Sequence, residues 1–206
     1  MNNIKLIVNN SNKIPLIDKF PLKKGENKIK LIIENDLTNL SYMFYSCNSL
    51  KNIDELKYLN TSKVTNFSNL FWGCSSLTDI SAIKNWDVSQ GINFSYLFTG
   101  CSSLINLFPL KNWNAEKGTN FSFMFCRCLN LIDINPLRKW NVSLGTDFSF
   151  MFSGCILLSN LEPIANWKID EAKNFEGMFS QCKSLSDFEQ LNLWKRNYKF
   201  KSNIIR

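Results

Sequence analysis

Large apolar residues return in one fixed order along this chain, and the interval never changes. Phenylalanines stand at Phe44, Phe71, Phe98, Phe125, Phe152 and Phe179, each 27 residues after the last. Three positions later a cysteine keeps step, from Cys47 through Cys74, Cys101, Cys128 and Cys155 to Cys182. Leu50, Leu77, Leu104, Leu131, Leu158 and Leu185 form a third column, and Trp86, Trp113, Trp140, Trp167 and Trp194 a fourth. A period without insertions marks units that stack on their neighbours, because one such unit cannot bury its apolar face alone. Six copies exceed the three or so that stability requires.

Each unit reads as two short elements. Asn39, Asn66, Asn93, Asn120, Asp147 and Asn174 share one column, and Asn and Asp are favoured helix caps. After Asn93 the spacing predicts a short helix over 94–99, with Phe94, Leu97 and Phe98 on one face. Gly73, Gly100 and Gly154 follow at the place where a left-handed residue ends a helix. Arg127 and Gln181 fill that place in two other units. Leu77, Ile80, Ile83 and Trp86 then recur at three-residue spacing, which fits a short strand from Leu77 to about Ser81. Pro109, Pro136 and Pro163 require that strand to be finished before them. The "WDVS", "WNVS" and "WKID" stretches suit a second small extended segment. Residues 4–8 and 28–33 read as β segments around a turn at Gly25-Glu26-Asn27, covering the first unit. The chain thus divides into a β cap (1–36), a repeat array (37–194) and a basic tail (195–206).

Composition narrows the chemistry. With 45% hydrophobic residues the chain has the means to fold. It contains no His, which excludes Ser-His-Asp and Cys-His nucleophiles and His-ligated metals. No cysteine pair has the spacing of a structural zinc site, and no acid, base and nucleophile converge, so neither cofactor nor catalysis is expected. The net charge of +7 sits at the ends: residues 1–30 carry seven Lys against two acids, and residues 195–206 five Lys or Arg against none. Residues 31–194 carry 12 basic and 15 acidic side chains, a balance unlike a groove for nucleic acid. The terminal "WKRNYKFKSNIIR" reads as an edge cover ahead of an RNA or anionic-membrane contact. No apolar run is long enough to span a membrane. No secretory signal is read in "MNNIKLIVNNSNK", which points to the cytoplasm.

The pattern N-F/M-S-x-M/L-F-x-G-C-S-S-L-x-x-I followed by W-x-V/T-S, in phase over about residues 37–194, resembles the BspA-type leucine-rich repeat proteins. The three-three-three spacing of Leu77, Ile80, Ile83 and Trp86 is longer than that of ordinary leucine-rich repeats. The resemblance implies a curved α/β solenoid, leucine-rich-repeat-like, with a parallel sheet on one face and short helices on the other. It also implies binding or adhesion at a cell surface and supplies no site residue.

The expected architecture is one right-handed solenoid of six 27-residue repeats with an N-terminal β cap, a monomer that binds a protein partner through its sheet face. A surface adhesin of the BspA type is the alternative. The varying column Lys51, Thr78, Ile105, Ile132, Ser159 and Ser186 is the candidate recognition row, with Ile105 and Ile132 as a small apolar patch. The adjoining column Asn52, Asp79, Asn106, Asp133, Asn160 and Asp187 reads first as a turn-holding ladder, so Asp79 and Asp133 join the row only on its second reading, as part of an acidic stripe. Trp72, off the tryptophan column, is a candidate exposed contact. The columnar cysteines read as buried thiols and the tryptophans as core rungs with the indole N–H on a loop carbonyl. Cys126, off the cysteine column, reads as a lone accessible thiol ahead of a redox pair with Cys128.

Overall fold

The computed structural model describes residues 4–8, 14–15, 24, 29–33, 36–186, 188–189 and 194. The β segments expected at the N-terminus are present: β1 (Ile4–Val8) and β3 (Ile29–Ile33) pair antiparallel, Ile4 opposite Ile33 and Val8 opposite Ile29. A two-residue strand not foreseen, β2 (Ile14–Pro15), joins the other side of β1. Pro15 lies on this edge strand, where a missing N–H is tolerated. The turn read at Gly25-Glu26-Asn27, Asp187 and the tail 195–206 lie outside the described residues.

From residue 38 onward each 27-residue unit hydrogen-bonds to the next. The N–H groups of Phe67, Asn69, Phe71 and Gly73 donate to the carbonyls of Asn93, Ser95, Leu97 and Thr99, at 2.8, 3.0, 3.0 and 2.7 Å. The same four bonds join every adjacent pair, ending with Phe148, Phe150, Phe152 and Gly154 on Asn174, Glu176, Met178 and Ser180. Isolated parallel bridges run down the column from Asn39 to Asn174. This is the segment expected as a helix, and it is not one. Two left-handed residues per unit turn the backbone over, for example Tyr96 at φ 60° and Gly100 at φ 72°. Local bonds are of the three-residue kind, Leu97 N–H to Phe94 O and Cys101 N–H to Phe98 O. Every second N–H is therefore free to reach the next rung. The Asn column still accepts the N–H two residues on, Ser95 to Asn93 Oδ1 at 3.0 Å and Ser149 to Asp147 Oδ1 at 2.9 Å. It anchors an Asx turn where a helix cap was expected.

The strand expected over Leu77–Ser81 is absent as well. Leu77 and Ile80 are buried as single inward points, and a 3₁₀ turn, η2 (Ser81–Ile83), follows. Equivalent turns are η1 (Asp54–Tyr58), η3 (Phe108–Leu110), η4 (Asn135–Lys139) and η5 (Glu162–Ile164). Prolines 109, 136 and 163 sit at the start of the last three, where no donor is needed. The "WDVS" stretch is a further Asx turn, Ser89 N–H on Asp87 Oδ1 at 2.9 Å, in place of the extended segment expected there.

The core is a set of stacked columns. Phe67, Phe94, Phe121 and Phe148 lie face to face at 5.3–5.5 Å. Phe71, Phe98 and Phe125 do the same at 5.6 and 5.8 Å. Trp113 donates its indole N–H to Ile83 O at 3.0 Å, and Trp86, Trp140 and Trp167 repeat the bond, as expected of core rungs. Each interior thiol donates to a phenylalanine carbonyl 30 residues back, Cys101 to Phe71 and Cys128 to Phe98, both at 3.2 Å. All seven cysteines are free.

Candidate functional site

The candidate row is placed by its neighbours. Leu104 and Leu107 point inward and are fully buried, so the two residues between them, Ile105 and Asn106, are turned outward. The same alternation exposes Thr78, Ile132, Ser159 and Ser186. Ile105 and Ile132 are each 52% exposed. They are rung neighbours: Asn106 and Asp133 form a parallel bridge, and Ile132 N–H reaches Ile105 O at 3.5 Å. The row therefore offers two aliphatic side chains side by side among Thr and Ser.

Asp79 and Asp133 are exposed beside this row, but their geometry is that of turn anchors. Asp79 Oδ1 accepts Ser81 N–H at 2.7 Å, and its Oδ2 accepts the Ser81 hydroxyl at 3.0 Å. Asp133 Oδ1 accepts Asn135 N–H at 2.8 Å. Asn52, Asn106 and Asn160 make the same bond. Each opens the 3₁₀ turn that follows. Trp72 lies elsewhere, on the turn ladder, half-buried and stacked on Tyr45 at 4.5 Å.

Phe108 belongs with the row and was missed. It opens η3, three residues after Ile105, and is 66% exposed. The Lys111 ammonium lies 5.7 Å from its ring centroid. The signal was legible: the other members of its column are Asp54, Ser81, Asn135, Glu162 and Glu189. A lone aromatic in a polar column has no rung to stack on. A second aromatic feature also escaped notice. Tyr96, Phe123 and Phe150 stack at 4.5 and 4.7 Å on the outer side of the ladder, each half-buried. Phe123 has a ring against each face and the Phe150 ring lies over Gly177, which leaves little open ring face for a sugar or a cation.

No reactive thiol appears on the row. Burial pushes Cys101, Cys128 and Cys155 well above the ordinary thiol range, and Cys74 and Cys182 up to about 12. Cys126 is only 8% exposed, which corrects its reading as the accessible thiol. Its desolvation outweighs the opposing pull of Arg127 and Ser153, so its pKa is raised. The exposed thiol is Cys47, in the first rung. Among the described residues no group of His, Cys, Asp or Glu could hold a metal, and no helix is long and apolar enough to cross a membrane.

Comparison with known proteins bears on the repeats. The family model described as "Mycoplasma protein of unknown function, DUF285" matches residues 38–135 and again 109–203. Searches of curated proteins and of solved structures found no match. The two overlapping family matches take in the whole rung array and most of the chain, so the chain belongs to the Mycoplasma protein family of unknown function DUF285.

Proposed function

We propose that the chain is a non-enzymatic binding module, a leucine-rich-repeat-like solenoid of the BspA type, which holds a protein partner against the exposed row of Ile105, Ile132 and Phe108. The observation that carries this reading is the pairing of Ile105 with Ile132, each 52% exposed on adjacent rungs, with Phe108 at 66% on the same loop. The buried columns keep the loop backbone rigid, and the outward residues vary from rung to rung. Covering the exposed half of each isoleucine is worth about 1 kcal/mol, taken from the 1.5–3 kcal/mol of a whole aliphatic side chain. Three such side chains form the apolar centre that protein contacts use, with Thr78, Ser159 and Ser186 as a polar rim. The anchored Asp79 and Asp133 shape the loop and present one carboxylate edge each.

The test is a chain carrying Ile105→Asp and Ile132→Asp, compared with the unsubstituted chain as bait in lysate of the source cells. Proteins captured by the original and lost by the variant are the expected result, with the urea midpoint unchanged because both positions face solvent. Identical capture by the two chains would sink the loop row as the binding surface.

A further inference from the structure

A cationic column runs beside the apolar row. Lys57, Lys84, Lys111 and Arg138 occupy one place in the repeat, in or just after the turns η1 to η4, and all four are exposed. Successive turns pack on one another, so like charges are stacked at roughly the 4.7–4.9 Å that separates adjoining strand backbones. Like charges set opposite one another destabilise such a stack. The frame does not require them, since Ala165 fills the same place after η5. Carboxylates compensate the two ends of the column. Asp54 and Glu55 share the turn of Lys57, and Arg138 is paired with Glu162. Among the described residues Lys84, Lys111 and Lys139, the exposed neighbour of Arg138, make no ion pair. Asp79, on the loop of Lys84, is taken up by the N–H and hydroxyl of Ser81.

The charge and the apolar row share the same loops. Residues 105–113 and 132–140, which include Ile105, Phe108 and Ile132, hold Lys111, Arg138 and Lys139 against Asp133 alone, whereas residues 31–194 together carry more acids than bases, 15 to 12. Lys111 ties the two features together, because its ammonium lies 5.7 Å from the centroid of the Phe108 ring. A group that meets this cation touches the ring as well. We propose, on the reading of the row as a binding surface, that its partner is an acidic protein segment: apolar side chains cover Ile105, Ile132 and Phe108, and neighbouring carboxylates meet Lys84, Lys111 and Lys139. Charge pairs at the edge of a contact orient the partner and speed its encounter, while the apolar centre holds it. A nucleic acid suits the surface less well. Phosphates laid along the column meet Asp79, Asp133 and Glu162 beside it, and the aliphatic Ile105 and Ile132 give a base no ring to stack on.

The test probes an array of random peptides with labelled full-length chains: the unsubstituted chain, a charge-reversed chain (Lys84→Glu, Lys111→Glu, Lys139→Glu) and an apolar-row chain (Ile105→Ser, Ile132→Ser). Arg138 is left in place because it holds Glu162, and serine removes apolar surface without adding a charge that would itself repel an acid. All these positions are exposed, and equal thermal midpoints check that each variant is folded. The unsubstituted chain is expected to select peptides in which Asp or Glu flank Leu, Ile or Phe. Charge reversal should weaken them roughly tenfold, the cumulative effect of three exposed pairs, and turn selection toward peptides with Lys or Arg in the same places. Selected peptides with no excess of acid, or affinities unmoved by charge reversal, would overturn the proposal; if the serine variant still lost those peptides, the row would stand as a binding surface and only the acidic partner would fall. Acidic peptides bound equally by the serine variant would sink the row and the proposal with it. Oligo(U) RNA bound more tightly than any peptide, and released by charge reversal, would assign the column to nucleic acid and overturn it as well.

Discussion

Replacing Phe98 by Ala probes the ring column at its centre. Phe98 has no exposed surface and lies between Phe71 at 5.6 Å and Phe125 at 5.8 Å, nearly parallel to both. Its removal forfeits the transfer energy of a whole aromatic side chain and leaves a void whose walls are two rings held by their own rungs. Phe→Ala changes at such sites cost about 3–5 kcal/mol, and two stacked contacts add to the loss. Domains of this size are stable by about 5–15 kcal/mol, so at least about a fifth of the total is at stake. Phe44→Ala is the internal control. It is the same residue type in the same column, but half-buried in the open first rung with one stacked neighbour, Phe71, among the described residues. Its cost should be less than half as large. Urea unfolding gives both values, and amide exchange resolved by rung shows whether the Phe98→Ala damage is confined to the rungs around 71–125. Repeat arrays can lose two-state behaviour when a middle unit is weakened, so a fall in the urea m-value is part of the expected outcome. Equal costs for the two substitutions, or a Phe98→Ala cost below about 1 kcal/mol, would refute the view that rung-to-rung burial holds the fold.

Three further outcomes follow from particular residues. Arg127 holds φ 58° where Gly73, Gly100 and Gly154 stand in other rungs; Arg127→Gly should raise stability by up to about 1 kcal/mol, since relief of left-handed strain (about 1–2 kcal/mol) exceeds the added chain entropy, and thermal unfolding checks it. Native-state labelling with a thiol reagent should modify Cys47 first and leave Cys101, Cys128 and Cys155 unreacted until urea is added, with mapping by mass spectrometry. Trp113→Phe should cost about 0.5–1.5 kcal/mol, the net value of its bond to Ile83 O, and more if the narrower ring leaves a gap; urea titration measures it.

How much of this was readable beforehand depends on which force each residue serves. The period, the buried cysteines from Cys74 to Cys182, the tryptophan column, the indole bond to a loop carbonyl and the left-handed place of Gly73, Gly100 and Gly154 all follow from residues that repeat for the sake of the frame, whereas Cys47, read as buried with its column, is exposed in the first rung. The turn-holding part of the Asn/Asp column was legible for the same reason, because Asx side chains bond their own backbone wherever they sit. The helix was misread because Phe94, Leu97 and Phe98 satisfy two geometries at once. A helix buries i, i+3 and i+4, and so does a backbone that turns twice in succession. The feature that separates them is Tyr96, Phe123 and Phe150, aromatic residues in a column whose last member is Gly177. All four hold positive φ, which no helix allows. Cys126 was misjudged because its column mixes Tyr45, Trp72, Thr99 and Ser153. Exposure there follows position in the stack, 44% for Tyr45 in the first rung and 6% for Thr99 in the middle. Residue type carries no trace of that. Of the candidate row, Ile105 and Ile132 were found through variation between rungs, and Phe108 was there to be found by the same comparison.

The shared direction of the ladder's peptide units has an electrostatic consequence. Each such unit is a dipole, and in ordinary sheets strand dipoles alternate and nearly cancel. Here four units per rung lie along the stacking axis with the same sense, as in a helix, leaving partial negative charge at the carbonyl end and partial positive charge at the amide end. Fields of this kind are felt mainly within the terminal turn, because interior dipoles compensate one another. An array with more or fewer rungs would therefore present the same two poles. Length could change between relatives as freely as whole rungs are gained or lost, while the chemistry offered at each end stayed as it was.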